Sequence, residues 1–431
     1  MNMEVVVTSR DNIKPSCPTP QHLRHLPLSY FDRTMYRVFI PMIFFYSKGS
    51  EKGDIIKATH LETSNHLKIS LAETLAKFYP LAGRVKEYHT ECNDQGVPFF
   101  EAQAKCRLSQ VVGESYLAKL NKLLPYGEQA RDLALAIQIN FFDCGGIAIG
   151  VCLSHKVVDG SSLSSFLNYW ARIARGDHCG NLNLICPRFD LAKLFPPAEN
   201  QISYSTTNCS SSVARRFVFS ASALSAMRSK YPMQTSRSEA LSAFIWMRFL
   251  AAGKGKDAGS ESPLLVHHAV DLRTRMDPPL SEYHIGNLAG FARVGSSMDA
   301  GMEDDYVFIK KSRDAIRRVD HNFVKNLQNA EFAYRFLQIK TAEHQSSWYF
   351  SSLAQFPLYE ADFGWGRPIW VTMSGLYTVN SLTFMPTRSG DGAEALLYLK
   401  EDDMAKLEAD KEFLEFVSPP SGFKNQFLSS L

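Results

Sequence analysis

His155 and Asp159 lie four positions apart, and Gly160 follows them directly. An imidazole titrates near neutral pH, so His155 could accept a proton from a bound substrate as a general base. The apolar residues 145–151 before it predict a buried strand, and residues 161–175 after it predict a helix. Gly160 would permit a sharp turn between the two. The histidine is therefore expected at the mouth of a strand, where a substrate can reach it.

The spacing alone is weak evidence, because the chain contains a second copy from His267 to Asp271 that no glycine follows directly. A buried histidine that donates to a backbone carbonyl is the alternative role for His155. A nucleophilic triad is disfavoured, since Ser154 and Cys152 lie at odd separations from His155 and side chains alternate along a strand. No G-x-S-x-G elbow occurs in the sequence either. A histidine that acts directly on the substrate needs no protein nucleophile.

A kinase and a metal enzyme are also disfavoured. Asp362, Phe363 and Gly364 form a triplet that kinases contain, but the glycine-rich loop and the His-Arg-Asp loop of kinases are missing. Residues 359–368 are better explained as a structural loop, in which glycines set tight turns and aromatic side chains pack. No further cluster of His and Cys residues accompanies His155, so the sequence predicts no metal site.

Composition restricts the class of protein. A chain of 431 residues exceeds what one hydrophobic core usually serves, so we expect two domains. The net charge of +3 is too small to indicate nucleic-acid binding, although a local basic patch could hold an anionic ligand. The eight cysteines show no C-x-x-C pattern, which predicts free thiols. No stretch has the length of a membrane span and residues 1–14 do not resemble a signal peptide, so a cytoplasmic protein is expected.

Helix and strand patterns alternate along the chain and are interrupted by one segment without periodicity. Residues 176–212 are rich in proline, serine and asparagine and predict a linker between domains at 1–175 and 213–431. Pro41 suggests that the strand at 37–46 lies on an edge or contains a bulge. The other predicted strands lie at 133–142, 216–220, 264–270, 370–373, 381–384 and 395–399. The predicted helices lie at 60–78, from a capping box at Ser236 and Glu239 onward, from about 305 to 340, and at 404–416.

Residues 154–160 (Ser-His-Lys-Val-Val-Asp-Gly) and residues 362–366 (Asp-Phe-Gly-Trp-Gly) together resemble the two motifs of the BAHD acyltransferases of plants. Each motif is moderately specific alone, and both in this order are highly specific. The resemblance runs nearly end to end and includes residues 78–85, 143–160 and 388–394. The chain is most similar to the vinorine synthase-like branch, which also holds other alkaloid, volatile-ester and acylsugar acyltransferases.

The resemblance implies an α/β fold of two similar-sized domains related to chloramphenicol acetyltransferase. Each domain would be a mixed sheet with helices, and a long crossover loop would join them, in agreement with the linker at 176–212. A solvent channel is expected between the domains with His155 midway, so that acyl-CoA enters from one face and the alcohol from the other. Acyl-CoA would be a co-substrate, and no cofactor would be bound permanently.

The resemblance also implies roles for individual residues. His155 would be the catalytic general base of a direct transfer from acyl-CoA, without an acyl-enzyme. Asp159 would turn away from it and pair with Arg273, because a buried charge needs a partner, and Gly160 would support the same structure. The second motif would lie away from the chemistry and hold the CoA side of the channel in shape through Asp362, Gly364, Trp365 and Gly366.

One stretch departs from the family pattern. Where relatives often show Thr-Ser-Trp, this chain reads Ser351, Ser352 and Leu353. Ser351 keeps a hydroxyl that could donate to the oxyanion of a tetrahedral intermediate. Leu353 in place of the tryptophan predicts a roomier substrate pocket, to which we also assign Asn287. A roomier pocket would accept an unusual acceptor or a bulkier acyl chain.

Arg388 and Ser389 match the part of the family that lies near CoA. Arg388 could pair with a CoA phosphate, and the alternative is a solvated arginine in a turn. The sequence thus predicts an acyl-CoA-dependent O-acyltransferase that transfers an acetyl or other short aliphatic group to a hydroxyl of a plant specialised metabolite. The acceptor would be an alkaloid, a terpenoid alcohol or a partly acylated sugar, and the enzyme would be a monomer without nucleic-acid or membrane partners.

Three alternatives stay open at this point. The first is an N-acyltransferase of the same family. The second is an esterase or hydrolase that uses the same channel with water as the acceptor. The third is a non-catalytic member of the fold that only binds ligands.

Overall fold

The structure is a computed structural model of the chain. It describes residues 3–47, 59–125, 132–177, 186–197, 212–232, 234–253, 264–296, 304–333, 347–375 and 379–418. The strands are β1 (Val5–Ile13), β2 (His25–Pro27), β3 (Phe39–Tyr46), β4 (Arg84–Val85), β5 (His89–Glu91), β6 (Val97–Ala104), β7 (Leu135–Phe142), β8 (Ile147–Ser154), β9 (Ser212–Phe219), β10 (Leu264–Asp271), β11 (Ala289–Ser296), β12 (Ser347–Ser352), β13 (Trp370–Met373), β14 (Ser381–Pro386) and β15 (Ala393–Lys400). The helices are α1 (Tyr30–Thr34), α2 (His60–Leu75), α3 (Gly160–Ala174), α4 (Leu191–Leu194), α5 (Ala221–Ser229), α6 (Arg237–Gly253), α7 (Asp305–Arg318), α8 (His321–Leu327), α9 (Glu401–Glu408) and α10 (Lys411–Phe416).

Two mixed six-stranded sheets and one three-stranded sheet organise this part of the chain. The first sheet has the order β1-β6-β7-β8-β3-β13, in which the β6–β7 pair is parallel. The second has the order β11-β10-β12-β14-β15-β9, in which β12 runs parallel to both β10 and β14. The small sheet β2-β5-β4 is antiparallel. The predicted α/β class, with mixed sheets and helices, is confirmed.

The centre of the first sheet is buried on both faces. Every residue of β7 and β8 is buried, which explains why their sequences are nearly continuous apolar runs. The predicted helix at 60–78 is observed as α2, whose capping box at Thr59 and Glu62 fixes its first turn. Its Leu67 and Leu71 are fully buried in the core that covers this sheet. β8 therefore leads directly from the hydrophobic core to residue 155.

The predicted strands are confirmed, although some of their ends differ by a few residues. The predicted strand at 37–46 is observed as β3. The strands predicted at 133–142, 216–220, 264–270, 370–373, 381–384 and 395–399 are observed as β7, β9, β10, β13, β14 and β15. The predicted capping box also exists, since Glu239 accepts from the Ser236 N–H at 2.8 Å and Ser236 Oγ accepts from the Glu239 N–H at 3.2 Å.

The prediction for Pro41 is wrong. β3 lies between β8 and β13, so it is not an edge strand, and its pairing with β8 is regular. The pairing with β13 begins only at Met42. The carbonyl of Pro41 accepts from the Ser374 N–H at 3.4 Å, which shows that its backbone faces the β13 side. Proline is tolerated because its missing N–H falls beyond the end of that ladder.

Two predicted helices are wrong as single elements. The helix predicted at 305–340 divides into α7 and α8, and residues 334–340 lie outside the described residues. Asp320 caps α8 by accepting a backbone N–H on Oδ1 at 2.9 Å. The helix predicted at 404–416 divides into α9 and α10, and Asp410 caps α10 in the same way at 3.0 Å. In both cases the capping aspartate satisfies the free N–H groups of a new helix start.

β13 joins the first sheet although it comes late in the chain, because it pairs with β3. The segment before it packs into the core of the same sheet through Leu358, Phe363 and Ile369. The chain then returns to the second sheet as β14. The two sheets are therefore connected by more than one passage of the chain.

The division into domains at 1–175 and 213–431 stays a prediction. Most of the linker at 176–212 falls on residues 178–185 and 198–211, which lie outside the described part of the chain. Six cysteines are described and all are free, namely Cys17, Cys92, Cys106, Cys144, Cys152 and Cys186. Among the described helices, none is long and apolar enough to cross a membrane.

Gly150 lies in β8, where even one added methyl group should strongly disturb the core of the first sheet. A Cβ there would fall on the backbone oxygen of Leu123, which cannot move as a flexible side chain could. We expect Gly150→Ala to lower the free energy of unfolding by roughly 3 kcal/mol, as overpacking of a core does. Urea denaturation followed by circular dichroism measures this change.

Gly295 in β11 is the matched control, because a Cβ there meets no atom closer than 4.0 Å. Gly295→Ala should leave the stability unchanged or raise it slightly, since alanine restricts the unfolded chain. Equal effects of the two substitutions would contradict this account of the packing.

Candidate active site

His155 stands at the end of β8, in the interior of the first sheet. Its backbone N–H donates to the carbonyl of Val38 at 2.8 Å, and the N–H of Ser154 donates to the carbonyl of Ala134 at 2.9 Å. These bonds fix the end of the strand from both sides. α3 begins shortly afterwards at Gly160, so the predicted order of strand, loop and helix is confirmed.

Gly160 has a different role from the predicted one. It is the first residue of α3, and it is not among the residues with positive φ, so no unusual turn requires it. A Cβ at this position would lie 2.6 Å from Leu353 Cδ2 and 3.0 Å from Phe356 Cε2. A larger residue would have to displace the side chains of Leu353 and Phe356, which pack directly onto the start of this helix.

The same packing defines the surroundings of Leu353. The side chain is 9% exposed and belongs to the core of the first sheet. It lies against Gly160, so it fills the space beside the motif. The expectation of a roomier pocket at this position stays a prediction.

Asn287 is a polar side-chain partner of the His155 ring. Its Oδ1 lies 3.0 Å from Nδ1 of His155, and its Nδ2 donates to the backbone carbonyl of His155 at 2.8 Å. An amide oxygen only accepts, so Nδ1 carries the proton and Nε2 keeps a free electron pair. Asn287 is completely buried. Its side chain orients the histidine, and its assignment to the substrate pocket stays a prediction.

The environment of His155 favours its neutral form. Burial lowers the pKa of the imidazole. This effect outweighs the opposing influence of the backbone of His155 and Val158, of the Asp159 charge and of the hydrogen bond to Asn287. A neutral imidazole with its proton on Nδ1 is the state that a general base needs. The geometry thus allows His155 to accept a proton through Nε2.

Asp159 and Arg273 form the predicted ion pair, and both are buried. Nη1 of Arg273 donates to Oδ2 of Asp159 at 2.7 Å, and Nη2 donates to Oδ1 at 3.2 Å. The carboxylate also accepts from the backbone N–H groups of Ser162 at 2.9 Å and Leu288 at 3.0 Å. The first of these bonds caps α3. Asp159 is thus occupied by structural contacts, as expected for a residue that shapes the site.

The pKa of Asp159 reflects this arrangement. Burial alone would raise it, but the charge of Arg273 and the hydrogen bonds from Arg273, Ser162 and Leu288 prevail, so the pKa lies below its usual value. The carboxylate is therefore ionised at neutral pH. A buried ionised carboxylate is tolerated only because the guanidinium and the two backbone N–H groups surround it.

The motif at 362–366 forms a rigid loop. Oδ1 of Asp362 accepts from the N–H of Gly364 at 2.8 Å and from that of Gly366 at 2.9 Å. Both glycines have φ near 100°, at +107° and +101°, which other residues rarely adopt. Phe363 and Trp365 stack on each other, and Phe363 packs edge-on against Trp170 of α3. These contacts explain the residue types of the motif.

The same loop lies far from His155. Nη1 of Arg175 donates to the backbone carbonyl of Asp362 at 3.1 Å, and Arg175 directly follows α3. His155 precedes the other end of that helix, which has 15 residues and so spans ~22 Å. The motif is therefore separated from the histidine by about one helix length. Its assignment to the CoA side of the channel stays a prediction.

Ser351 lies in β12 and contacts Thr383 of β14, with their hydroxyl oxygens 2.9 Å apart. Either hydroxyl can be the donor. If Thr383 donates, the hydrogen of Ser351 is free for another acceptor. Arg388 and Ser389 are exposed in the turn after β14, and the Ser389 hydroxyl donates to Asp391. The roles assigned to these residues stay predictions.

The second copy of the spacing, from His267 to Asp271, lies entirely within β10. His267 is buried, stacks on Tyr349 and contacts the hydroxyl of Ser347 at 3.1 Å. Within the described part of the chain, no group of three or more His, Cys, Asp or Glu side chains could hold a metal ion.

The sequence reasoning missed the contact between Asn287 and His155. The two residues are 132 positions apart, so no local pattern links them. The preceding Gly286 has a φ of +137°, which marks a backbone position restricted to glycine. That signal indicates a constrained loop but does not indicate its partner.

We expect Asp159→Ala to destabilise the protein by about 3 kcal/mol, because it leaves the buried Arg273 guanidinium with only the partly exposed Asp271 as a counter-charge. It also removes the cap of α3. The midpoint of urea denaturation checks this value.

Glu4→Ala is the control, since Glu4 pairs with Lys105 at 2.6 Å with both side chains more than half exposed, at 61% and 53%. That change should cost less than about 1 kcal/mol. An unchanged midpoint for Asp159→Ala would refute the structural role of the buried pair.

The comparisons with known proteins cover nearly the whole chain. The model of the family described as "Transferase family" matches residues 3–414. Vinorine synthase of Rauvolfia serpentina is 36% identical over 419 residues, which cover 93% of this chain and 96% of that protein. Stemmadenine O-acetyltransferase of Catharanthus roseus is 33% identical over 426 residues, with coverages of 95% and 97%. A limonoid 7-O-acetyltransferase of Citrus sinensis is 34% identical over 463 residues, with coverages of 96% and 98%.

Solved structures agree with this result. The crystal structure of vinorine synthase matches with a TM-score of 0.85 at 34% identity, over 96% of this chain and 99% of that one. TRI101 of F. graminearum, in complex with coenzyme A and deoxynivalenol, matches with a TM-score of 0.70 over 91% and 99% of the two chains. At 18% identity, that second likeness shows the fold alone. The chain carries both motifs and shares its fold with vinorine synthase. It belongs to the Transferase family of BAHD acyltransferases and is an acyl-CoA-dependent acyltransferase.

Proposed function

We propose that this protein transfers an acyl group from acyl-CoA to a hydroxyl of a plant specialised metabolite, with His155 as the general base. The observation that carries the proposal is the 3.0 Å contact between Asn287 Oδ1 and His155 Nδ1. It leaves Nε2 as the basic atom of a ring whose pKa is lowered by burial. The catalytic role of His155 therefore rests on geometry as well as on the motif.

The transfer proceeds in one active site without a covalent enzyme intermediate. Nε2 of His155 accepts the hydroxyl proton while the acceptor oxygen attacks the thioester carbonyl carbon. The tetrahedral intermediate then collapses, the C–S bond breaks, and the proton passes from His155 to the CoA sulfur. Binding both substrates side by side supplies the proximity that this direct attack requires.

The residues next to His155 are poorly suited to act as nucleophiles, which supports the direct route. Cys152 is buried, and its burial strongly raises the pKa of the thiol, so little thiolate is present. Ser154 is also buried, and its Oγ lies 3.4 Å from the N–H of Lys156. Neither side chain forms a hydrogen bond with the His155 ring among the described contacts.

The oxyanion of the intermediate needs a hydrogen-bond donor, and we assign this role to Ser351. Its contact with Thr383 lets the threonine donate to Ser351 while Ser351 donates onward. Arg388 is assigned to a CoA phosphate, because it is exposed beside Ser389 and a guanidinium suits phosphate geometry.

Acetyl-CoA is the favoured donor, and an alkaloid or terpenoid alcohol is the favoured acceptor. Vinorine synthase and stemmadenine O-acetyltransferase are among the relatives, and so is a limonoid 7-O-acetyltransferase. The names of the last two relatives describe O-acetyl transfer, which supports a hydroxyl as the acceptor. A partly acylated sugar is the third acceptor class to be included in an assay.

His155→Ala should lower kcat for acyl transfer about 10²- to 10⁴-fold, because it removes the proton acceptor. The assay supplies acetyl-CoA and a panel of plant metabolites, and product formation is read as a mass shift. The matched control is His268→Gln, because His268 is buried against Ser312 and Phe350, away from Asn287. Near-normal turnover of His155→Ala would exclude the general-base role.

The same assay separates the alternative functions. CoA release that is equally fast with and without an acceptor would identify a hydrolase. A product acylated on an amine would identify an N-acyltransferase. Ligand binding without turnover across the whole panel would identify a non-catalytic member of the family.

The pH dependence of kcat/KM tests the lowered pKa of His155. A general base is active only when neutral, so activity falls as the pH drops through its pKa. Because burial lowers that pKa, the acid limb should lie below the ordinary histidine value of 6.5. Circular dichroism at each pH confirms that the protein stays folded, and a limb centred at or above 6.5 would contradict the burial effect.

A further inference from the structure

Asp32 is a buried carboxylate that none of the sequence motifs contains. It lies in the short helix α1 and is 5% exposed. Its Oδ1 accepts from the backbone N–H of Asn287 at 2.8 Å and from Nδ2 of Asn287 at 2.9 Å. Its Oδ2 accepts from the N–H of Ser29 at 3.0 Å and from the Ser29 hydroxyl at 2.6 Å. Both oxygens thus face hydrogen-bond donors.

This carboxylate decides which way the Asn287 amide points. Oδ1 of Asp32 already accepts the backbone N–H of Asn287, so the amide atom that also faces this oxygen must be the NH2 group. The same NH2 group donates to the backbone carbonyl of His155. The amide oxygen is then directed at Nδ1 of His155, which must carry the proton. The opposite orientation would place an N–H group against Nδ1 and shift the ring proton to Nε2.

We propose that Asp32 is a positioning residue for the general base: through Asn287 it holds the His155 proton on Nδ1 and leaves Nε2 free to accept the substrate proton. This inference rests on the proposed role of His155. Among the described contacts, Asp32 reaches the histidine through Asn287, so it would act on the reaction by positioning and not by contact with the reacting atoms.

The electrostatic setting of Asp32 favours this role over simple helix capping. Asp32 lines a small pocket whose other lining side chains are apolar, so its hydrogen bonds act in a low-dielectric region. Burial raises its pKa, and the hydrogen bonds from Ser29 and Asn287 only partly offset that effect. The charge of the buried Lys156 attracts it, although no ion pair joins the two among the described residues. A cap for the five-residue helix α1 would not require a carboxylate buried this deeply.

Asp32→Asn tests the proposal with little change in volume. The new amide offers one acceptor and one donor group where Asn287 and Ser29 together need two acceptors, so the Asn287 amide loses its fixed orientation. We expect kcat to fall on the order of tenfold to a hundredfold, as for outer partners of catalytic groups. The KM values for acyl-CoA and acceptor should change less than about twofold, because no substrate contact is lost.

Ser29→Ala is the matched control. It removes a hydrogen bond to Oδ2 and the side-chain cap of α1, but it leaves Oδ1 facing Asn287. We expect a lower melting temperature with kcat close to that of the wild type. If Ser29→Ala lowered kcat as strongly as Asp32→Asn, the effect of Asp32 would be one of local stability and the proposal would fail.

Two further measurements report on the mechanism itself. Asp32→Asn should lower kcat little further in an Asn287→Ala background, because both changes remove the same interaction. Nitrogen NMR of histidine-labelled protein, assigned with His155→Gln, should show a proton on Nδ1 in the wild type and an increased Nε2-protonated fraction in Asp32→Asn. A folded Asp32→Asn protein with wild-type kcat and the wild-type tautomer would overturn the inference.

Failure of the inference and failure of the proposed function give different results. If His155→Ala abolishes transfer while Asp32→Asn does not lower kcat, the general base stands and the role of Asp32 is rejected. If the wild type shows no acyl transfer, the proposed function is rejected, and the NMR spectra still decide whether Asp32 controls the tautomer.

Discussion

The buried ion pair between Asp159 and Arg273 is the interaction on which the site depends, because it fixes the loop that carries Asn287. Arg273 donates to the backbone carbonyl of Gly286 at 3.0 Å, and Asp159 accepts from the backbone N–H of Leu288 at 3.0 Å. The residues on both sides of Asn287 are therefore tied to the same two charges. The hydrogen bond that orients His155 is a consequence of this arrangement.

Stability alone does not explain two charges in this position, since well-packed apolar side chains often stabilise a core as much as a buried ion pair. The charges add geometric specificity, because a guanidinium and a carboxylate form strong hydrogen bonds with only a few arrangements of their partners. Arg216 and Glu394 form a second buried pair, in which the guanidinium also donates to the carbonyl of Gly113 and Glu394 accepts from the Trp370 indole. That pair links the edge of the second sheet to β13 of the first. Polar geometry thus fixes the contact between the sheets in two separate places.

The fold was predictable from sequence where burial alone determines the pattern. The apolar runs of β7, β8 and β10 and the periodicity of α2 are direct consequences of which faces are covered. The helix predictions were wrong where the hydrogen bonds of a single polar side chain start a new helix. Asp320 and Asp410 each occupy a place where a polar residue fits a continuous helix, but each instead caps a new one. Pro41 was misplaced because the length of the β13 ladder is set by a segment more than three hundred positions later.

For the site as well, local sequence patterns predicted only part of the arrangement. The motif identified His155 and Asp159, and the resemblance supplied Arg273, but the partner of the imidazole and the reason for Gly160 depend on residues from the other half of the chain. Contacts of this kind leave no periodic trace in the sequence.

The second copy of the spacing shows what the motif encodes. In β10, His267 and Asp271 belong to one continuous strand, so the strand does not end at the histidine and no helix begins after the aspartate. At His155 the same spacing spans the passage from β8 to α3. There the histidine lies just after the strand, and the aspartate caps the next helix and pairs with Arg273. The proposed chemistry requires only the histidine, and the spacing to the aspartate reflects the length of the loop between strand and helix.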